Sequence, residues 1–281
     1  MSHDFELIGR EKSKIAVLLF HGLTGSPFEL KKYGLYLHSQ GFDVYSYSLP
    51  GHGHNIRDIK AVKYSDWLNC AFAQFERLTA KYEQVFVSGL CLGAVLCLAI
   101  AEKYGKKVAG VLTLSTTLYL DGWRMPWYSF LLPIGLSTIM RYYYIYPECE
   151  PYGIKNEKTR KVIKKLLEKS EVAADNFPMS CIYELLKLSA LVRKNLYKVT
   201  SPIVIIHSVE DDLASKKSAE EVYKKVNSTQ KDLILLNDSY HMLLYDNEKE
   251  FVYQISSQFI KNQINTNNDA KISILNLHLG V

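Results

Sequence analysis

Residues 85–94 read Val85-Phe86-Val87-Ser88-Gly89-Leu90-Cys91-Leu92-Gly93-Ala94. A short apolar run leads into Gly89, Cys91 and Gly93, and an Ala/Val/Leu-rich segment follows. The pattern predicts a buried strand, a very tight turn and a helix. The glycines stand where a Cβ would block the close passage of strand against helix. Cys91 then occupies the apex of the turn, above the sheet and beside the positive end of a helix, a position that suits a nucleophile. A free cysteine is otherwise a small core hydrophobe, so its chemistry must be read from the flanking chain.

Upstream, Ile15–Phe20 is a continuous apolar run, the mark of a strand covered on both faces in a parallel sheet. It enters His21-Gly22-Leu23-Thr24-Gly25. Ser26-Pro27-Phe28-Glu29 then reads as a capping box, with Phe28, Leu30, Tyr33, Gly34 and Leu37 at helical spacing up to Gly41. Phe5–Ile8 suits an edge strand and Asp43–Ser48 a further one, followed by the Leu49-Pro50-Gly51-His52-Gly53 turn. A helix capped by Ser65 runs to about Tyr82, an apolar helix runs from Leu92 to about Tyr104, and Val108–Ser115 is another buried strand. Strands alternating with helices through short loops specify an α/β fold: a mostly parallel, doubly wound sheet, with ligands at the carboxyl ends of its strands. His21, His52 and His54 read as loop-packing histidines.

From Thr116 to Thr200 the alternation stops, in a stretch too long for a plain loop. Its pattern is helical and aromatic, which predicts a helical cap inserted into the core formed by residues 1–115 and 201–263. The proline-containing run Met125–Met140 is too short to span a bilayer and reads as a buried or lid helix. Trp123, Trp127 and Tyr128 are the candidate substrate-binding residues of the cap. Val162, Ile163, Leu166 and Leu167 fall opposite Lys158, Lys161, Lys164, Lys165 and Lys169. That basic run reads as a solvated face, the alternative being a role toward an anionic ligand. Residues 264–281 read as a tail.

The chain has 281 residues, five cysteines and a formal net charge of +5, which reads as spread along its length. An odd cysteine set without framework spacing favours a reducing compartment over a disulfide scaffold. No apolar signal segment opens the sequence, so the expected location is cytoplasmic, with no stable membrane span. The charge is too modest to argue for nucleic acid.

Pro202–His207 is a buried run that ends in Glu210-Asp211-Asp212, and Asp232–Leu236 ends in Asp238-Ser239-Tyr240-His241. Asp211 and Asp212 compete as the acid that orients an imidazole. Asp211 is preferred, because Leu213 and Ala214 then anchor the next helix. His241 is the candidate base, and His207, inside its strand, reads as packed. Cys91, Asp211 and His241 thus follow one another in the order nucleophile, acid, base.

The pieces His21-Gly22-Leu23-Thr24-Gly25, Leu49-Pro50-Gly51-His52-Gly53, Gly89-Leu90-Cys91-Leu92-Gly93, Asp121–Tyr128, Glu150–Lys155, Val209–Ser215 and Asp238–His241 together resemble the bacterial carboxylesterase branch of the α/β-hydrolases, related to monoacylglycerol lipases. The resemblance spans about residues 15–262. It implies an α/β-hydrolase fold and hydrolysis of short- to medium-chain acyl esters without metal or organic cofactor. Its partner would be a small-molecule ester, with a homodimer left open. By matched position it makes Cys91 the nucleophile, Asp211 and His241 its partners, and the backbone N–H groups of Leu23 and Leu92 the oxyanion donors. The family carries serine where this chain has Cys91. Three readings follow: a working thiol, as in dienelactone hydrolase; a binder of an apolar acyl ligand in which turnover has faded; or a recent replacement of serine. Acyl transfer and thioester hydrolysis stand beside ester hydrolysis as alternatives.

Overall fold

Apolar runs flanked by turn residues set the order of the elements. The computed structural model describes residues 3–9, 13–52, 56–131, 134, 136–147, 150–169 and 176–265. Along the chain come β1 (Phe5–Leu7), β2 (Ile15–Phe20), α1 (Lys31–Ser39), β3 (Asp43–Ser46), α2 (Ile56–Ala61), α3 (Tyr64–Thr79), β4 (Gln84–Leu90), α4 (Leu92–Tyr104) and β5 (Gly110–Leu114). There follow β6 (Ile145–Pro147), α5 (Glu157–Lys169), β7 (Asn176–Pro178), α6 (Met179–Asn195), β8 (Ile203–Ser208), α7 (Lys217–Lys225), β9 (Lys231–Leu236) and α8 (Lys249–Asn265). The main sheet has the order β1-β3-β2-β4-β5-β8-β9. β1 is antiparallel to β3 at one edge and every other pair is parallel. This is the expected α/β sheet, and it carries the α/β-hydrolase fold.

The sheet divides the core into two layers. One gathers Trp67, Phe75, Leu96 and Leu185 from α3, α4 and α6. The other gathers Tyr33, Leu37, Val252 and Phe259 from α1 and α8. Every residue from Leu92 to Ala101 is buried, because α4 is enclosed by the sheet and by α3 and α6. The apolar-all-round sequence of this helix therefore has a structural cause.

Several local expectations are corrected. The segment Pro27–Leu30 is a 3₁₀ turn and the α-helix begins only at Lys31. Phe28 therefore leaves the apolar stripe and stands exposed. Ser26 makes no side-chain cap; its carbonyl takes the Glu29 N–H instead. At α3 the capping group is Asp66, whose carboxylate accepts the Lys63 N–H at 2.9 Å, rather than Ser65. The run 125–140 is not one helix. Its described residues include 3₁₀ turns at Trp127–Leu131 and Ile139–Tyr142, since Pro126 and Pro133 each remove a helical donor. The small β6–β7 ribbon was not foreseen. Its three-residue strands are too short to show a period. The helix α8 runs to Asn265, two residues past the expected limit of the core; the tail beyond 265 lies outside the described residues.

The elbow is the tightest place in the fold. A Cβ on Gly89 would lie 2.2 Å from the carbonyl carbon of Gly93, and one on Gly93 would lie 2.0 Å from the Phe20 carbonyl oxygen. Cys91 itself is held at φ 57°, ψ −113°. Such backbone costs on the order of 1–3 kcal/mol. Burying one Leu or Val contributes roughly 1.5–3 kcal/mol, so the buried helix that follows offsets the strain. Gly93→Ala is expected to destabilise the protein by about 3 kcal/mol, read from urea unfolding. An unchanged midpoint would contradict the close-passage account.

Candidate active site

Cys91 caps α4 between the end of β4 and the helix, half-buried. Its N–H donates to Leu114 O at 3.0 Å, and its carbonyl accepts the Ala94 and Val95 N–H groups. The sulfur accepts a hydrogen bond from Thr117 Oγ1 at 3.3 Å. The Leu23 N–H also reaches the thiol. Leu92 N–H belongs to the first turn of α4, where helix geometry supplies no intrahelical acceptor.

His241 follows β9 and is buried. Its Nδ1–H donates to both Asp211 oxygens, at 3.0 Å and 2.8 Å. Asp211 Oδ1 also accepts the Leu213 and Ala214 N–H groups at 2.9 Å and 2.8 Å. The acid is therefore fixed by its own loop as well as by the ring. Nε2 of His241 is buried without a formed hydrogen bond, yet ring and thiol act on each other electrostatically across the remaining gap. Catalytic hydrogen bonds are often this loose before substrate arrives.

Sulfur, ring and carboxylate shift one another's proton affinity. Burial pushes the Cys91 thiol up, but the His241 ring beside it, with Thr117 and Leu23 N–H, brings it below the ordinary thiol value. Burial pulls His241 down, and Asp211 and Cys91 together raise it well above the ordinary imidazole value. Burial raises Asp211 too, and the His241 charge outweighs this to leave its carboxyl below the usual range. Asp212 behaves oppositely: burial raises its pKa. It touches the base only through its backbone, the His241 N–H lying 3.4 Å from Oδ1.

His21, His52 and His207 are structural. Leu49 N–H donates to His21 Nε2 at 3.1 Å, so Nδ1 carries the proton and donates to Gly22 O at 2.9 Å. Burial drives His21 down to about 3 and His52 down to about 4. Their rings stack edge-on at 4.8 Å and brace the Leu23 loop against the turn at Leu49. His207 is fully buried behind Asp211 and donates Nε2–H to Ala214 O at 2.7 Å. His54 lies outside the described residues.

Trp123 is brought to the rim: its Nε1–H donates to Glu210 O at 2.9 Å and its ring packs edge-on to Tyr240 at 5.5 Å. It is 59 % exposed, and Tyr128 is exposed as well. The Trp127 side chain lies outside the described residues. Sequence reading missed Thr117, although its place just beyond β5 was a usable signal. It also missed the bracing of the His241 loop. Ser115 Oγ–H donates to His241 O at 2.6 Å, and Met242 N–H to Gly153 O at 2.7 Å. The carboxylate of Asp246 accepts N–H groups from Lys155, Asn156, Tyr240 and Asn247. No local pattern marks a contact between Lys155 and Asp246.

A parallel sheet, a strained elbow at the edge where its strands end and an Asp–His pair beside the elbow residue define the class as α/β-hydrolase. Residues 11–249 match the family model described as serine aminopeptidase S33, and the chain belongs to that family. It is 23 % identical over 252 residues to a thermostable monoacylglycerol lipase of Bacillus sp. (strain H-257), covering 89 % of this chain and 91 % of that one. It is 25 % identical over 247 residues to a carboxylesterase of Bacillus subtilis (strain 168), covering 88 % and 92 %. Among solved structures it resembles one from the metagenome-derived lipolytic enzymes LipS and LipT, with a TM-score of 0.78 at 26 % identity over 92 % of this chain and 96 % of that one. The monoacylglycerol lipase of Paleococcus ferrophilus shares the fold, with a TM-score of 0.76 at 17 % identity over 94 % and 99 %.

Alkylation by iodoacetamide reports the thiolate. Its rate at Cys91 is expected to plateau below the ordinary thiol pKa of about 8.5, and His241→Ala is expected to move the inflection upward. A wild-type inflection at the ordinary value would show that ring and sulfur are uncoupled.

Proposed function

We propose that this chain hydrolyses carboxylic esters of short- to medium-chain acyl groups, monoacylglycerol-like lipids among them, through a covalent acyl-enzyme on Cys91. The observation that carries the reading is the buried Asp211–His241 pair held against a half-buried elbow thiol. A site that only binds an acyl ligand has no use for a buried carboxylate fixing an imidazole tautomer. The relatives described as lipase and carboxylesterase support the same substrate class.

In this mechanism the Cys91 sulfur attacks the ester carbonyl carbon, forming the C–S bond while the carbonyl electron pair moves onto oxygen. The Leu23 and Leu92 N–H groups hold that oxyanion, a contribution made only as charge develops. The ester C–O bond then breaks, and the departing oxygen takes the proton from His241 Nε2. Water attacks the thioester, gives its proton back to Nε2, and the C–S bond breaks to return the pair to sulfur. Asp211 holds Nδ1–H throughout, stabilising the imidazolium. Residues 116–200 act as a cover over the strand ends, with residues 1–115 and 201–263 as the core. Trp123, at the rim, and Tyr128 are the proposed substrate contacts from the insertion.

On a p-nitrophenyl acyl ester, His241→Ala and Asp211→Asn are each expected to lower kcat by about a hundredfold or more, with the far-ultraviolet spectrum unchanged. Asp212→Asn is expected to stay within about tenfold, because its carboxylate meets His241 only at the backbone and otherwise pairs with Arg124 at 3.9 Å. Comparable losses for both aspartate variants would overturn the assignment of the acid, and full activity in His241→Ala would overturn the mechanism.

A further inference from the structure

The basic run in the insertion has no part in the chemistry above. It forms α5, which holds six lysine or arginine residues against two glutamates, a net of +4 in a chain whose whole formal charge is +5. The charge is therefore not spread along the chain, as its sequence reading held; it is concentrated in one helix. Lys158, Lys161 and Lys165 are all exposed and, among the described residues, enter no ion pair. They are spaced three and four residues apart along a single stripe, with Glu157 one turn before Lys161 and lining the same hollow. In the middle of that stripe stands Val162, 58 % exposed, while Thr159, Arg160 and Ile163 on the opposite side are partly covered. α5 thus turns these cations and an aliphatic side chain outward together.

The same insertion exposes further apolar groups: Trp123, Tyr128, Leu131, Ile134, Tyr143 and Tyr144, with Tyr143 75 % exposed. Trp and Tyr suit the headgroup layer of a bilayer, being apolar in body and polar at the tip. Leu131, Ile134 and Val162 gain nothing from a nucleic acid or a charged peptide, whereas an acyl layer would bury them. The root of α5 lies beside the candidate active site: Lys155 and Asn156, just before the helix, donate N–H to Asp246 in the loop that carries His241.

We propose that the outward stripe of α5, with the exposed aromatic and aliphatic residues of the same insertion, docks this protein onto an anionic lipid surface. The lysines meet the acidic headgroups, the apolar residues enter the interface, and the chain lies on the bilayer without crossing it. No helix among the described residues is long and apolar enough to span. Docking through α5 brings the rim at Trp123 and Tyr240 near the lipid layer, yet it uses no residue of the Cys91 chemistry and stands or falls separately from it.

Co-sedimentation of the full chain with vesicles tests this, using phosphatidylcholine alone and an equal mixture with phosphatidylglycerol. The protein is expected to pellet with the mixed vesicles, to stay in solution with phosphatidylcholine alone, and to be released by added salt. Reversing Lys158, Lys161 and Lys165 to Glu together is expected to weaken binding by about a hundredfold, and Lys161→Gln alone by about fivefold. The single change guards against a triple variant that perturbs the helix. Val162→Asp is expected to weaken binding at unchanged charge on the lysines, with turnover of a soluble ester kept in every variant. Absence of pelleting, equal pelleting with both vesicles, indifference to Lys161→Gln, or equally tight binding of a duplex oligonucleotide would each overturn the proposal.

Discussion

The architecture depends on one close approach: the backbone of α4 passing the ends of β2 and β4 with no room for a side chain at Gly89 or Gly93. That approach forces the residue between them into a left-handed conformation and lifts its side chain clear of the sheet. The strain is tolerable because the helix that follows is enclosed on every side. Fold stability and the presentation of the Cys91 side chain are thus consequences of the same contact.

Around the elbow, each functional group is held by a neighbour from another part of the chain. Asp211 is pinned by its own loop and by the ring of His241. The His241 loop is tied to Ser115 at the end of β5 and to Gly153 in the insertion. Asp246 joins the insertion to that loop through its four N–H donors. Residues 153–156 and the His241 loop are therefore one mechanical unit, and a displacement of the former would be felt at His241.

Much of this was legible in the sequence where a local rule suffices. The apolar runs at 15–20, 85–87 and 202–207 read as strands buried on both faces, and Gly-x-Cys-x-Gly required a turn too tight for side chains. The order of Cys91, Asp211 and His241 at strand ends followed from those strands. What remained hidden depended on contacts between distant segments. Nothing near Phe28 says that a 3₁₀ turn will rotate it outward. Nothing near Asp246 announces the backbone donors it meets. The run 125–140 did not form the one buried or lid helix its apolar content suggested, its described residues making short 3₁₀ turns instead.

The central claim is that sulfur, imidazole and carboxylate act as one nucleophilic unit, and trapping the intermediate tests it most directly. Wild-type protein mixed with a p-nitrophenyl acyl ester, quenched in acid within the first turnover and digested, should carry the acyl mass on the peptide holding Cys91. The mass should be absent from Cys91→Ala treated in the same way. Turnover proceeding while residue 91 stays unmodified, or an acyl group found on another side chain in the wild type, would contradict the account.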